Sequence, residues 1–191
     1  MPYGEKFDRA LLYASRLHKD QVRKGTEVPY VTHLLAVASI VGENGGTEDE
    51  VVAALLHDGP EDQGGEATLE EISAHFGEEV AKIVDGCTDT YEDPKPPWRE
   101  RKERYLAHLG GASDSVRLVS SADKLHNART VLSDYRRLGE DLWTRFNGNR
   151  EGTLWYYRAI VDALPGESPI VEELDRVVTE LETLSGEPNP L

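Results

Sequence analysis

Several large functional classes are excluded by what this sequence lacks. It has one cysteine, Cys87, in 191 residues. Neither an internal disulfide framework nor a CxxC zinc site is available, so a metal would have to be held by His, Asp and Glu. No apolar run approaches the roughly 18 residues that a membrane span requires. The start, Met1-Pro2-Tyr3-Gly4, lacks the charged-then-apolar plan of a signal peptide, which makes the cytoplasm the expected compartment. Positive charge is scarce: 21 Lys and Arg against 36 Asp and Glu leave a net charge of −15, which argues against a non-specific nucleic-acid binder. What remains, 38% apolar and 30% charged residues, is the composition of a globular chain, and its length fits one domain over residues 1–191.

The charge is unevenly spread. Residues 1–91 hold seven basic and 18 acidic side chains, whereas 92–145 hold 11 basic and nine acidic. An isolated basic stretch in an acidic chain is a candidate dock for a small anion, with a solvated helix face as the plainer alternative.

Apolar periodicity predicts an all-α multi-helix bundle. Phe7, Ala10, Leu11, Ala14 and Leu17 form one stripe of a helix over 5–19. Leu34 to Val41 reads as a buried helix ended by Gly42 and the Gly45-Gly46 turn. Thr47-x-x-Glu50 and Thr68-x-x-Glu71 are capping boxes that should open two further helices, the second ending at Gly77. Another helix runs through Val80, Ile83 and Val84; residues 91–98, rich in proline, form a loop. Tyr105, Leu106 and Leu109 belong to the next helix and Val116 to Leu132 to a longer one. A terminal helix begins at Ser168 and carries Ile170, Leu174, Val177, Val178, Leu181 and Leu184.

The chemistry concentrates in His57-Asp58-Gly59-Pro60-Glu61-Asp62, where three acids and an imidazole fall within six residues. Carboxylates that close repel unless a cation or protons neutralise them, so a divalent metal is the economical explanation. Taken alone, the pair His57-Asp58 fits equally a solvated acidic helix end. His33 sits at the start of an apolar helix, where an imidazole either faces a site or bonds a backbone carbonyl. Asp123, in a stretch that reads as buried, needs a cation partner, whether metal or arginine.

These residues together carry a resemblance. Arg23-Lys24-Gly25 with Pro29-Tyr30 and His33, then Ala-Leu-Leu-His57-Asp58 with Glu61-Asp62, His75-Phe-Gly77 with Val84 to Thr88, and Ala122-Asp123-Lys-Leu-His-Asn127 follow one another within residues 7–132. In that order they resemble the HD-domain metal-dependent phosphohydrolases, above all the hydrolase domain of the RelA/SpoT enzymes and the small alarmone hydrolases of the Mesh1 type. The resemblance implies His33, His57, Asp58 and Asp123 as ligands of a manganese ion. It implies Glu61 and Asp62 as the pair that positions and activates water, Asn127 as a contact to the nucleotide, and Arg23 and Lys24 as basic residues beside the phosphates. The donor set by itself would also suit iron or zinc.

The expected activity is removal of the 3′-pyrophosphate of (p)ppGpp, a small anionic nucleotide, with no nucleic-acid or membrane partner. Lys102, with Lys95, Arg99, Arg101 and Arg104, is a further candidate for neutralising phosphates. The alternative for that group is an exposed loop whose arginines pair with Glu100 and Glu103. Other readings are a related phosphatase acting on NADPH or a simple nucleotide, and a nucleotide sensor without turnover. Two departures stand out: Gly59-Pro60 replaces the two apolar residues usual between the paired motifs, and the helical part over 136–191 diverges. Within it, Trp155-Tyr156-Tyr157 reads as core in preference to a base-stacking platform.

Overall fold

A computed structural model describes residues 3–92, 94–164 and 168–186 of the chain. Ten α-helices follow in order: α1 (Glu5–Leu17), α2 (Val31–Glu43), α3 (Glu48–Leu56), α4 (Gly59–Gln63), α5 (Gly65–Phe76), α6 (Glu78–Cys87), α7 (Trp98–Leu109), α8 (Asp114–Leu138), α9 (Asn149–Ala163) and α10 (Pro169–Ser185). A 3-10 turn, Gly139–Arg145, joins α8 to α9. Among the described residues there is no strand, only a bridge between Val22 and Pro29 that closes the loop after α1. None of the described helices is long and apolar enough to cross a membrane.

The centre is α3. Its six residues Val51 to Leu56 are all buried, so every face of the helix needs a neighbour. Those neighbours are α1, α2, α6 and α8. Thr47 caps it as predicted, its hydroxyl accepting from the Glu50 amide while the Glu50 carboxylate accepts from the Thr47 amide. The long α8 lies across α2, α3 and α6 and also supports α10, so one rigid rod spans the bundle.

Several boundaries differ from the sequence reading, each for a physical reason. Helix α2 starts at Val31, which puts His33 inside its first turns, and it runs through Gly42 to Glu43 because the Tyr3 hydroxyl fills the space beside Gly42. Thr68 does not open a helix. Gly64 and Gly65, with φ of +153° and +63°, turn the chain earlier and α5 begins at Gly65, leaving Thr68 buried and Glu71 accepting a bond from the Tyr13 hydroxyl. Pro60 starts a helix as well as ending one: it occupies the first turn of α4, where its missing N–H costs nothing. Helix α7 takes in Trp98, and α8 starts at Asp114, just before Val116, and runs on past Leu132 to Leu138. Helix α9 was not predicted; it carries the aromatic run, with Tyr156 and Tyr157 buried and Trp155 half-buried. The terminal helix begins after Ser168 as expected, although the Ser168 side chain makes no cap bond.

The seam between α6 and α8 is tight at Gly86, where an added Cβ would stand 2.5 Å from Val116 Cγ2. Gly86→Ala gains ~1 kcal/mol of helix propensity, yet overpacking of this kind costs about 1–3 kcal/mol. A net lowering of the melting temperature by a few degrees is expected, reversed when Val116→Ala is added. A single variant as stable as the parent would show that the seam yields freely.

Candidate active site

His33, His57, Asp58 and Asp123 come from α2, the end of α3, the link to α4 and the middle of α8, and the packing of those elements brings them together. His57 sits where α3 runs out of residues; its Nδ1 donates to the Ala54 carbonyl at 2.8 Å, which leaves Nε2 as a lone pair. His33 Nδ1 lies 2.7 Å from His126 Nδ1. Burial and the charges of His33 and Arg23 push the His126 imidazole down to about 4, so it is neutral at pH 7 and able to accept the His33 proton. Both Nε2 atoms are buried and neither has a hydrogen-bond partner.

Those two orphaned nitrogens face carboxylates. His33 Nε2 is 3.1 Å from Asp123 Oδ1 and 3.5 Å from Asp58 Oδ2; His57 Nε2 is 3.1 Å from Asp58 Oδ2 and 3.7 Å from Asp123 Oδ1. Ligand atoms about 2.0–2.2 Å from one ion are separated by about 3–3.5 Å along the edges of its coordination shell. His33, His57 and Asp58 each offer a donor atom within 4.8 Å of the others, close enough for one divalent cation, and Asp123 Oδ1 lies beside the two imidazoles. The donor set fits as well, being two imidazoles and two carboxylates.

Burial would raise both carboxyl groups, and their neighbours reverse this. At Asp123 the Lys124 ammonium and the two imidazole rings hold the carboxyl well below the usual range; at Asp58 the same two rings, His57 foremost, do so. The remaining lone pairs are met by protein donors: Tyr30 Oη donates to Asp58 Oδ2 at 2.6 Å and Asn127 Nδ2 to Asp123 Oδ1 at 2.6 Å.

Glu61 and Asp62 share the short helix α4, whose first residue follows Asp58 directly, yet their surroundings differ. Glu61 Oε1 lies 3.0 Å from Lys95 Nζ and 3.3 Å from Arg101 Nη1, while Oε2 faces the Asp89 amide at 3.4 Å. Asp62 Oδ2 accepts one bond, from Gln21 Nε2 at 2.8 Å. Partial burial and the Asp58 charge push the Asp62 carboxyl upward, against the pull of that Gln21 bond. Gly59, buried, packs against Leu17, Thr68 and Ile72, so a larger residue in its place would press directly on those side chains.

The candidate substrate contacts divide between two clefts. Arg23 Nη2 donates to Asn127 Oδ1 at 2.5 Å, and Arg23 lines a cleft of about 390 Å³ with His126, Arg129 and Arg137. Its neighbour Lys24 turns to another cleft, of about 230 Å³, shared with Glu61, Lys102, Phe146, Tyr156 and Tyr157. The aromatic pair is therefore both buried and part of a wall. The basic cluster splits too. Lys95, Arg101 and Lys102 turn inward, with Arg101 and Lys102 on the buried Asp89. Arg99 and Arg104 pair on their own helix with Glu103 and Glu100, and Arg99 lies over the Trp155 ring.

Gln21, Asp89, Lys124 and His126 complete the site without having been given a role in the sequence, and Tyr30, quoted there only as part of the motif before His33, joins them. Adjacency to Asp123 was the available signal for Lys124, and membership of the same motif for His126. Gln21 and Asp89 carried none, since the acids they serve lie 41 and 28 residues away.

Comparison with known proteins agrees with this geometry. A family model described as HD domain matches residues 10–154. The guanosine-3′,5′-bis(diphosphate) 3′-pyrophosphohydrolase MESH1 of Xenopus tropicalis is 42% identical over 135 residues, 69% of this chain and 70% of that protein. Its Danio rerio counterpart is 36% identical over 164 residues, 84% of this chain and 85% of that one. Among solved structures, a metazoan ortholog of SpoT reported to hydrolyse ppGpp superposes with a TM-score of 0.80 at 28% identity, covering 95% of this chain and 98% of the other. A match over most of its length, with the paired His and Asp at the centre of the bundle, means that the chain belongs to the HD domain family.

Proposed function

We propose that this protein is a metal-dependent phosphohydrolase that removes the 3′-pyrophosphate of (p)ppGpp, giving GDP or GTP and pyrophosphate. The observation that carries the proposal is the pair Glu61 and Asp62, held on the short helix that directly follows a cluster of two orphaned imidazole nitrogens and two carboxylates. The relatives named for this activity supply the substrate. In this reading residues 1–191 act as a single hydrolase domain in the cytoplasm.

His33, His57, Asp58 and Asp123 would hold the ion, and resemblance to the family supports manganese for it. When bound, such an ion lowers the pKa of water and polarises phosphoryl oxygens. The chain's own residues do the rest. Asp62, raised and carrying a single hydrogen bond, is the better proton acceptor of the pair, and Glu61, saturated by Lys95 and Arg101, orients the water. Lys24 and Lys102 from one cleft, with Lys95 on Glu61, neutralise the leaving phosphates, and Arg23, fixed by Asn127, faces the nucleoside part from the other cleft. Water oxygen bonds to the phosphorus on the ribose 3′ oxygen, that phosphorus–oxygen bond breaks, and the 3′ oxygen takes up a proton.

Three outcomes test this. His57→Ala or Asp123→Ala is expected to lose stoichiometric metal, read by elemental analysis, and part of the thermal stability that metal binding confers. The double variant Glu61→Gln with Asp62→Asn is expected to keep the metal and lose turnover by at least about 100-fold; metal loss with the fold intact would move the pair into the ligand set. With ppGpp in heavy-oxygen water, GDP and labelled pyrophosphate are expected. Orthophosphate as first product, rapid turnover of NADPH in place of ppGpp, or binding without turnover would contradict the proposal.

A further inference from the structure

We infer that Gln21 is a positioning residue for the hydrolysis: its side chain holds the Asp62 carboxylate by Oδ2 and leaves Oδ1 to receive the proton from water. The inference rests on the role given to Asp62 above.

Gln21 lies between α1 and α2 and is itself fixed at the backbone, its amide donating to the His18 carbonyl at 3.1 Å and its carbonyl accepting from the Tyr30 amide at 2.9 Å. Its side-chain Oε1 faces two nitrogens, Gln63 Nε2 at 2.6 Å and His18 Nδ1 at 2.6 Å. An amide oxygen has no proton to give, so both nitrogens donate and the orientation of the Gln21 amide is determined. Its NH₂ group then points at Asp62 Oδ2, 2.8 Å away. The inverted amide would set a carbonyl oxygen against the carboxylate, which is repulsive.

The same strut reaches the ligand cluster. His18 is buried and stacks on Tyr30, with ring centroids 5.3 Å apart and planes 19° apart, and the Tyr30 hydroxyl bonds Asp58 Oδ2. One end therefore touches Asp58 and the other Asp62, four residues apart across the α4 start, and their separation is set from outside the helix that carries them. The charged groups that face Asp62 are Asp58 and Glu61, which raise its carboxyl, and Lys95, whose Nζ is 3.8 Å from Oδ1 and lowers it. Oδ1 thus has a cation nearby at more than hydrogen-bonding distance and stays open to water, while Gln21 occupies the other oxygen.

The test compares Gln21→Leu, Gln21→Glu and Asp62→Asn as manganese-loaded proteins, with kcat and KM for ppGpp, pH–rate profiles, metal content, melting temperature and a carbon-13 titration of the Asp62 carboxyl. For Gln21→Leu we expect kcat down about 10- to 100-fold, in line with the effect of small misplacements, with KM within about threefold and metal content unchanged. Loss of the donor also moves the Asp62 titration, and the acid limb of kcat with it, to higher pH. Gln21→Glu restores a donor only while its new carboxyl is protonated, so its rate relative to the parent should be highest at the acid end and fall as pH rises. Gln21→Leu with kcat within twofold of the parent, or with a rate loss that merely tracks lost metal or lost fold, would overturn the inference, as would Gln21→Glu matching Gln21→Leu at every pH. Parental turnover by Asp62→Asn would overturn instead the reading of Asp62 beneath it.

Discussion

Two imidazole nitrogens and two carboxylates, drawn from α2, α3, α8 and the link to α4, confront one another at 3.1–3.7 Å beneath the protein surface, and the remainder of the bundle is arranged around that confrontation. Two anions so close and so well buried carry a cost that grows as water is excluded. The chain meets part of it with Lys124 on Asp123, Tyr30 on Asp58 and Asn127 on Asp123. It also fixes both imidazoles through Nδ1, so that Nε2 of each is aimed inward with no proton donor to satisfy it. A bound cation would resolve all four groups at once. The apolar α3, buried on every side, is the scaffold this requires, because a helix that cannot rotate or slide presents His57 at one fixed place.

The outer residues are graded around that centre. Asp89 is the nearest example: buried, it draws in Arg101 and Lys102, and Arg101 in turn reaches Glu61. Asp89 thereby sets where two cations stand. Arg23 is placed in a similar way by Asn127, which also touches Asp123. The two basic neighbours Arg23 and Lys24 look into separate clefts.

Much of the fold was legible because its signals are local. Thr47 and Glu50 satisfy each other within one turn, and the stripe of α10 repeats on a single helix. Thr68 and Glu71 have the same spacing and failed as a start signal because Tyr13, from a different helix, takes the Glu71 carboxylate, and two glycines turn the chain first. Helix α9 was not distinguished in the sequence within the divergent helical part over 136–191; Gly148 and Gly152 near its start are where the Trp98 ring lies, a contact between elements about 50 residues apart. The cluster of His33, His57, Asp58 and Asp123 could be assembled in the sequence only through its likeness to a family, since each residue alone had an ordinary structural explanation. Gln21 and Asp89 could not be reached at all, because what they do is defined by distant acids.

The central claim is that the two orphaned imidazole nitrogens and the two carboxylates belong to one ion. Anomalous diffraction at the manganese absorption edge, on crystals of the metal-loaded protein, tests it directly. The account predicts one strong peak within bonding distance of His33 Nε2, His57 Nε2, Asp58 and Asp123, with Glu61 and Asp62 outside that distance. A peak bonded to Glu61 or Asp62, or a cluster that holds no ion at saturating manganese, would contradict it.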